Sequence, residues 1–422
     1  MSLFDIIAVL MTLAAVFGYI NHKWLKLEPT VGLLMISLAS SLGIMGLHWI
    51  FPRLEIVNEI QRVVGGIDFN EALMHGMLGF LLFAGALHVD LEYFIRRKVT
   101  IAVLSTLGLL MSTFLVGWLS WLLFNALGLH ISFLACLVFG SLISPTDPIA
   151  VMGTLKTLHA PKDLEANIAG ESLFNDGVAV VVFTGLVALW QAQTGHAGGH
   201  GGHGGEFGAS QLAVFFLREA GGGALLGLIC GYLAYRMMLS IDDYKVEVIL
   251  TLALVMGSYS LAWALHVSGP IAVVVAGILI GNRGRALAMS EEVADYLEKF
   301  WELIDEILNA LLFMLIGVEV LVVAFNGKGI LAGFVTIAIV LVARFISVGV
   351  PISLIGLRSQ FPRGVVRILT WSGLRGGISV ALALSLPPIP EKNLILTCTY
   401  MVVLFSIIVQ GMTIKRVLRQ LL

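Results

Sequence analysis

Apolar runs of roughly twenty residues recur along almost the whole chain, and they restrict its possible folds more than any other feature. Hydrophobic residues fill 58% of the 422 positions and charged residues only 12%. A soluble domain of this size would carry about a quarter charged residues. The pattern predicts an all-α polytopic membrane protein. The net charge of −2 gives no reason to expect a nucleic-acid partner.

Hydropathy and segment length predict about thirteen transmembrane helices. The expected spans are 3–20, 29–49, 70–88, 100–125, 131–157, 164–192, 210–238, 245–265, 268–282, 298–323, 329–356, 363–387 and 393–413. The first span lacks a basic leader and a small-residue cleavage site, so we expect a retained helix there.

Lysine and arginine gather in every second loop. The odd-numbered loops and the tail hold Lys23, Lys26, Arg96, Arg97, Lys98, Lys156, Lys162, Arg236, Lys245, Arg283, Arg285, Arg358, Arg363, Lys415, Arg416 and Arg419. The even-numbered loops hold only Arg53, Arg62, Lys328 and Lys392. Because basic residues mark the cytoplasmic side, the N-terminus is expected outside and the C-terminus in the cytoplasm.

The sixth loop, residues 195–208, is rich in glycine and histidine and falls on the outer side in this topology. Its composition is typical of a flexible linker. Weak metal binding by His196, His200 and His203 is the alternative, and no ordered scaffold supports it.

Two of the spans are interrupted at matching places. The fifth carries Ser144-Pro145-Thr146-Asp147-Pro148, where the prolines should break the helix. The twelfth carries Trp371-Ser372-Gly373-Leu374-Arg375-Gly376-Gly377, which predicts a second unwound point. Spans five and twelve would cross the membrane in opposite directions. This arrangement is typical of inverted repeats with discontinuous helices and a binding site between them.

The sixth span supplies polar side chains within an apolar run, in Gly170-Glu171-Ser172-Leu173-Phe174-Asn175-Asp176-Gly177. Carboxylates in a membrane helix usually mark an ion path or a proton relay. Ser172 and Asp176 are four residues apart and share a helix face. With Thr146 and Asp147 of the broken fifth span, they offer hard oxygen ligands that suit a small alkali cation.

Glu171 and Asn175 share the neighbouring face, and Arg344 in the eleventh span is their expected partner. Arg375 is expected to interact either with Asp147 or with the C-terminal ends of helices at the point where spans five and twelve cross. The three acids Asp147, Glu171 and Asp176 are matched by only two arginines, Arg344 and Arg375. One carboxylate is therefore left without an arginine partner. A carboxylate that binds a proton when empty and a cation when ionised can exchange the two, with transport lost at low pH. A static network of buried ion pairs is the alternative.

Residues 290–306 approach the tenth span with many carboxylates. A solvated helix face is the preferred interpretation. An electronegative funnel that gathers cations is the alternative.

These motifs resemble the sodium/hydrogen exchanger family of monovalent cation:proton antiporters, in which the run Gly170 to Gly177 is a characteristic helix. The further similar segments are Thr146-Asp147-Pro148, Gly277-Ile278-Leu279-Ile280-Gly281-Asn282, Phe300-Trp301-Glu302, Leu315-Ile316-Gly317, Arg344 and Leu374-Arg375-Gly376-Gly377.

The resemblance implies one transmembrane domain over residues 1–422, with thirteen helices in two inverted repeats. It also implies a homodimer and an elevator-like motion of a core subdomain, around 131–192 and 329–387, against a dimerisation subdomain made of the remaining helices. The implied cation ligands are Asp176, Ser172, Glu171 and the Thr146 backbone, with Asn175 and Arg344 supporting Glu171. The pair Asn175-Asp176 implies electroneutral exchange. The chain resembles prokaryotic members without a long cytoplasmic tail.

The expected function is exchange of Na⁺ or Li⁺ for H⁺ by alternating access, for pH and sodium homeostasis, with no cofactor and no enzymatic activity. K⁺/H⁺ exchange stays open, because ligand spacing does not separate these ions. An intramembrane aspartyl protease built on Asp147 and Asp176 is a distant alternative, and the Gly-x-Gly-Asp motif is missing. A cation channel is disfavoured because channels surround a symmetric pore with rings of like groups.

Overall fold

In the computed structural model the chain is described over residues 3–50, 76–193, 209–321, 327–356, 364–387 and 389–421, and these ranges contain helices and no strand. The principal helices are α1 (Leu3–Ile20), α2 (Pro29–Ile50), α3 (Leu78–Leu87), α4 (Leu91–Val103), α5 (Leu109–Ala126), α6 (Phe133–Ile143), α7 (Ile149–Thr157), α8 (Lys162–Gln193), α9 (Ala209–Met238), α10 (Tyr244–Ala264), α11 (Gly269–Leu279), α12 (Glu291–Glu319), α13 (Gly327–Gly356), α14 (Val365–Trp371), α15 (Gly377–Leu384), α16 (Lys392–Phe405) and α17 (Gly411–Leu421). The glycine- and histidine-rich loop and the first residues of the third expected span lie outside the described residues.

The described part of the chain holds eight helical spans that are long and apolar enough to cross a membrane. Two shorter apolar helices, α3 and α6, join them. The all-helical polytopic prediction is therefore confirmed. The count of thirteen stays a prediction, because several expected spans are short or broken helices that do not cross by length alone.

The third expected loop is a helix, so this boundary prediction was wrong. The Asp90 side chain accepts a hydrogen bond from the Glu92 N–H and begins α4 nine residues before the expected start of the fourth span. Arg96 and Arg97 lie on this helix, and Arg97 pairs with Asp163 of α8 at 2.5 Å. A capped, amphipathic extension thus replaces the loop that hydropathy predicted.

Both expected helix breaks are present. The first break separates α6 from α7 between Ile143 and Ile149, and the second separates α14 from α15 between Trp371 and Gly377. Pro145 and Pro148 cannot continue the ladder of helical hydrogen bonds, which explains the first break. Each break leaves one half-helix ending and another beginning inside the protein.

Glycines let α9 and α11 approach closely. Gly223, Gly227 and Gly231 recur every fourth residue on α9, and a Cβ atom on any of them would meet Ser268, Ala272 or Ala276, which are small residues on or just before α11. Small residues are the usual means by which membrane helices pack backbone to backbone. This contact fixes the part of the fold that lies beside α8.

Gly227→Ala should lower the stability of the folded protein, because the added methyl group would strike the backbone carbonyl of Ala272. We expect a loss of about 1–3 kcal/mol, the usual effect of overpacking. Gly221→Ala is the matched control on the same helix, since open space surrounds that position. It should stabilise the helix by about 0.5–1 kcal/mol. Thermal unfolding in detergent measures both changes, and equal melting temperatures for the two variants would contradict the packing described.

Candidate functional site

The two helix breaks meet each other. The backbone N–H of Asp147 donates a hydrogen bond of 2.8 Å to the carbonyl of Leu374, and the two residues form an antiparallel bridge. Extended backbone inside a membrane protein must find such partners, because lipid offers none. The crossing therefore places the ends of α6 and α14 and the beginnings of α7 and α15 together.

Arg375 satisfies backbone carbonyls of α6, the helix that ends at the crossing. Its buried guanidinium donates through Nη1 to the carbonyl of Ser144 and, at 2.8 Å, to the carbonyl of Pro145. Its backbone N–H donates to Ser406 Oγ at 2.8 Å, and that hydroxyl donates to Gln410 Oε1 at 2.7 Å. Of the two expected partners of Arg375, helix C-termini are the ones observed. A positive charge there complements the negative end of the α6 dipole.

The Asp147 side chain lies at the N-termini of α7 and α15, the two helices that begin at the crossing. Its Oδ1 accepts a 2.9 Å hydrogen bond from the Ile149 N–H in the first turn of α7. Its carboxylate also lies against Gly376, where a Cβ atom would collide with it. Negative charge is favourable at helix N-termini, so Asp147 compensates the dipoles of α7 and α15. The glycine is required because nothing larger leaves room for the carboxylate.

Thr146 is held by two residues of the sixth-span motif. Asn175 donates from Nδ2 to Thr146 Oγ1 at 2.8 Å, and its Oδ1 accepts from the Thr146 N–H at 3.3 Å. Ser172 Oγ lies 3.0 Å from Thr146 Oγ1. The expected contact of Asn175 with the Glu171–Arg344 pair is therefore replaced, within the described residues, by bonds to Thr146. The broken segment lies close enough to α8 for Thr146 to bind the Asn175 amide, and helical spacing alone could not predict this contact.

Glu171 and Arg344 form the expected ion pair. Arg344 donates from Nη1 to Glu171 Oε1, and from Nη2 to the Leu369 carbonyl at 3.2 Å. The two side chains are only 2% and 7% exposed, for glutamate and arginine respectively. A buried pair of this kind neutralises both charges, so Glu171 is tied to its arginine.

Asp176 stands apart from this network. Its side chain is buried, yet none of the described residues forms a hydrogen bond or ion pair with it. It lines an open cavity of about 1420 Å³, together with Thr146 and Asp147. The other residues expected at the site do not line this cavity themselves: Ser172, Glu171, Asn175, Arg344 and Arg375. Ser172 reaches the lining residue Thr146 through its hydroxyl.

Acidic side chains dominate the approach through this cavity. Its acidic lining residues are Glu28, Asp90, Asp147, Glu165, Asp176, Glu298, Glu302, Asp305 and Glu306, and its basic ones are Lys156, Lys162 and Arg285. Four carboxylates of α12 thus line the cavity that reaches Asp176, as the funnel interpretation requires: Glu298, Glu302, Asp305 and Glu306. Such a lining raises the local concentration of cations.

Sequence reasoning missed four polar residues near the crossing. Ser406 and Gln410 support Arg375, and Gln410 also donates from Nε2 to the Trp371 carbonyl at 3.3 Å. Asn309 and Ser379 line the cavity. The signal that could have revealed them is the same for all four: each is a polar side chain within an apolar segment.

Known proteins resemble this chain along almost its entire length. The family model "Sodium/hydrogen exchanger, transmembrane" matches residues 11–420. The Na⁺/H⁺ antiporter NhaP of Pseudomonas aeruginosa is 48% identical over 99% of this chain and 96% of its own. The Na⁺/H⁺ antiporter NhaH of Halobacillus aidingensis is 35% identical over 94% and 93%, respectively.

The fold is also found among solved structures. The sodium proton antiporter MjNhaP1 of Methanocaldococcus jannaschii superposes with a TM-score of 0.74, covers 100% of this chain and shares 19% identity. At that identity the match speaks for the fold alone. The sequence relatives and the family model go further: the chain belongs to the sodium/hydrogen exchanger family, whose members are multi-pass membrane transporters of monovalent cations and protons and not enzymes.

Proposed function

We propose that this protein exchanges one Na⁺ or Li⁺ for one H⁺ across the plasma (inner) membrane, and that both ions compete for Asp176. The observation that carries the proposal is the contrast within one helix. Glu171 is neutralised by Arg344, whereas Asp176 has no partner among the described residues and lines the open cavity. A carboxylate in that position binds either a cation or a proton.

The Thr146, Ser172 and Asp176 oxygens are the proposed ligands of the transported cation. The Thr146 and Ser172 hydroxyls lie 3.0 Å apart, and Asn175 fixes the threonine from the other side. Hard oxygen ligands held in this way suit an alkali cation. In this assignment Glu171 contributes through its ion pair with Arg344, and Asp147 and Arg375 preserve the crossing.

The charge count at the site supports electroneutral exchange. Glu171 is already paired, and Asp147 is held against the beginnings of α7 and α15. Asp176 is then the single carboxylate whose charge changes, so one cation replaces one proton. A function in pH and sodium homeostasis is the natural use of such an exchange.

Alternating access is supported by the residues that line the cavity. They include the exposed side chains of Lys156, Lys162 and Arg285, which the charge rule assigns to the cytoplasm. The conformation is thus inward-facing in the proposed topology, with thirteen helices in two inverted repeats, an external N-terminus and a cytoplasmic C-terminus. We propose that the core subdomain, around 131–192 and 329–387, moves against the remaining helices within a homodimer.

Purified protein in liposomes with a trapped pH dye tests the exchange. Na⁺ or Li⁺ added outside should release internal protons, and Asp176→Asn should abolish this while the protein remains folded, since the amide binds neither ion as an anion can. Asp295→Asn is a control, because this exposed residue pairs with Lys299 on the surface of α12 and does not line the cavity. Release by K⁺ alone would overturn the sodium assignment, and a rate that follows an imposed membrane potential would overturn electroneutrality.

Arg344→Ala should lower stability as well as transport, because it leaves the buried Glu171 carboxylate without its cation. Stranding one member of a buried pair costs about 3–5 kcal/mol. Arg96→Ala is the matched control: its pair with Glu92 is 57% and 77% exposed and should contribute less than about 1 kcal/mol. Melting temperatures report the difference. Adding Glu171→Gln to Arg344→Ala should recover part of the loss, and no recovery would argue against the pair as its source.

Proton competition at Asp176 should make the apparent Na⁺ affinity depend on pH. Acidification fills the carboxylate with protons, so more Na⁺ is needed for the same occupancy. In the acidic limb the half-saturating Na⁺ concentration should rise about tenfold per pH unit, as for a ligand that must lose one proton before it binds a metal. Initial exchange rates at several pH values measure this. A half-saturating concentration that is constant with pH would exclude a shared site.

A further inference from the structure

Two buried polar side chains on the cavity wall make no hydrogen bond within the part of the chain that the structure describes. Asn309 of α12 is 3% exposed and Ser379 of α15 is 1% exposed. Neither polar atom of the Asn309 amide nor the Ser379 hydroxyl makes a hydrogen bond within the described residues. Leaving such groups unpaired destabilises a fold. Both residues line the same cavity as Asp176, so their partner is expected to come from the cavity.

Asn309 ends a polar stripe on α12. Glu298, Glu302, Asp305 and Asn309 follow one another at intervals of four, three and four residues, and all line the cavity. These intervals place them on one face of the helix. The Asn309 amide lies close enough to the Asp305 carboxylate to stabilise its negative charge, but no hydrogen bond of normal geometry joins the two groups.

Apolar packing begins one turn beyond Asn309. Leu312 continues the same face of α12 and belongs to a buried cluster with Phe313 and Leu315. Asn309 is therefore the last polar group of the stripe before an apolar seal. A cation that follows these carboxylates along α12 would meet the Asn309 amide last.

The first turn of α15 connects Asn309 to the crossing. Gly376 packs against the Asp147 carboxylate, and Gly377 packs against the Leu312 side chain. Asn309 lies one turn of α12 from Leu312, and Ser379 lies in the first turn of α15. The beginning of α15 therefore lies close to Asn309 on one side and to Asp147 on the other, and Ser379 belongs to the same turn.

We propose that Asn309 and Ser379 form an approach site, in which their oxygens replace water molecules of a monovalent cation before it reaches Asp176. Neutral oxygens can take the place of hydration without holding the ion too tightly to pass on. This inference rests on the proposed exchange function. It assigns to the path two contacts that the motif on α8 does not contain.

Exchange measurements on two variants test the approach site. Asn309→Leu removes the polar atoms at similar volume, and Ser379→Ala removes only the hydroxyl. Each should raise the half-saturating Na⁺ concentration by about threefold to tenfold, the ratio expected for one lost contact. The maximal rate should change less, and the melting temperature should not fall, because neither variant breaks a hydrogen bond within the described residues.

Ser120→Ala is the matched control. Its hydroxyl is also fully buried and unpaired within the described residues, but it lies on α5 and does not line the cavity. It should leave the half-saturating Na⁺ concentration unchanged. Asn309→Asp keeps an oxygen at the position and should retain or increase the Na⁺ affinity at alkaline pH, which a mere packing role would not produce.

The outcomes separate the approach site from the exchange function. If the wild type shows no Na⁺-dependent proton release, the proposed function fails and the approach site fails with it. If the wild type exchanges but Asn309→Leu and Ser379→Ala both behave like Ser120→Ala, only the approach site is overturned. Should Asn309→Leu fail to fold, Ser379→Ala and Asn309→Asp still decide the question.

Discussion

The mutual satisfaction of two unwound backbone segments is the constraint on which the rest of this structure depends. A helix broken inside a membrane exposes carbonyls and N–H groups that lipid cannot satisfy. Here the Asp147 N–H donates a hydrogen bond to the Leu374 carbonyl. The Arg375 guanidinium donates to the carbonyls at the end of α6, and the Asp147 carboxylate lies at the beginnings of α7 and α15. Only because these groups are satisfied can Thr146 remain outside a helix and contact Ser172 and Asn175 of α8.

Much of this arrangement could be predicted from the chain alone. Membrane burial makes every charge conspicuous, since each needs a partner or a function. That argument predicted the Glu171–Arg344 pair, and proline chemistry predicted the break between Ile143 and Ile149. Spacing on α8 correctly put Ser172 on the side that meets Thr146.

The errors arose where distance between segments decides the contact. Helical spacing assigned Asn175 to the face of Glu171, but the broken segment approaches α8 closely enough for the amide to hold Thr146 instead. Ser406 and Gln410 support Arg375 from a helix whose position no local pattern reveals. The start of α4 was misplaced because hydropathy does not register a helix cap outside the apolar segment.

The grip of Arg375 on the end of α6 has a mechanical consequence. The guanidinium belongs to the α14–α15 crossing segment, yet it holds the carbonyls of Ser144 and Pro145. Together with the hydrogen bond between Asp147 and Leu374, this contact links the two broken helices to each other. Separating them would expose buried charge and unpaired backbone, so any displacement that carries Thr146 must carry both helices. In the proposed mechanism, a cation bound at Thr146 would move together with both broken helices.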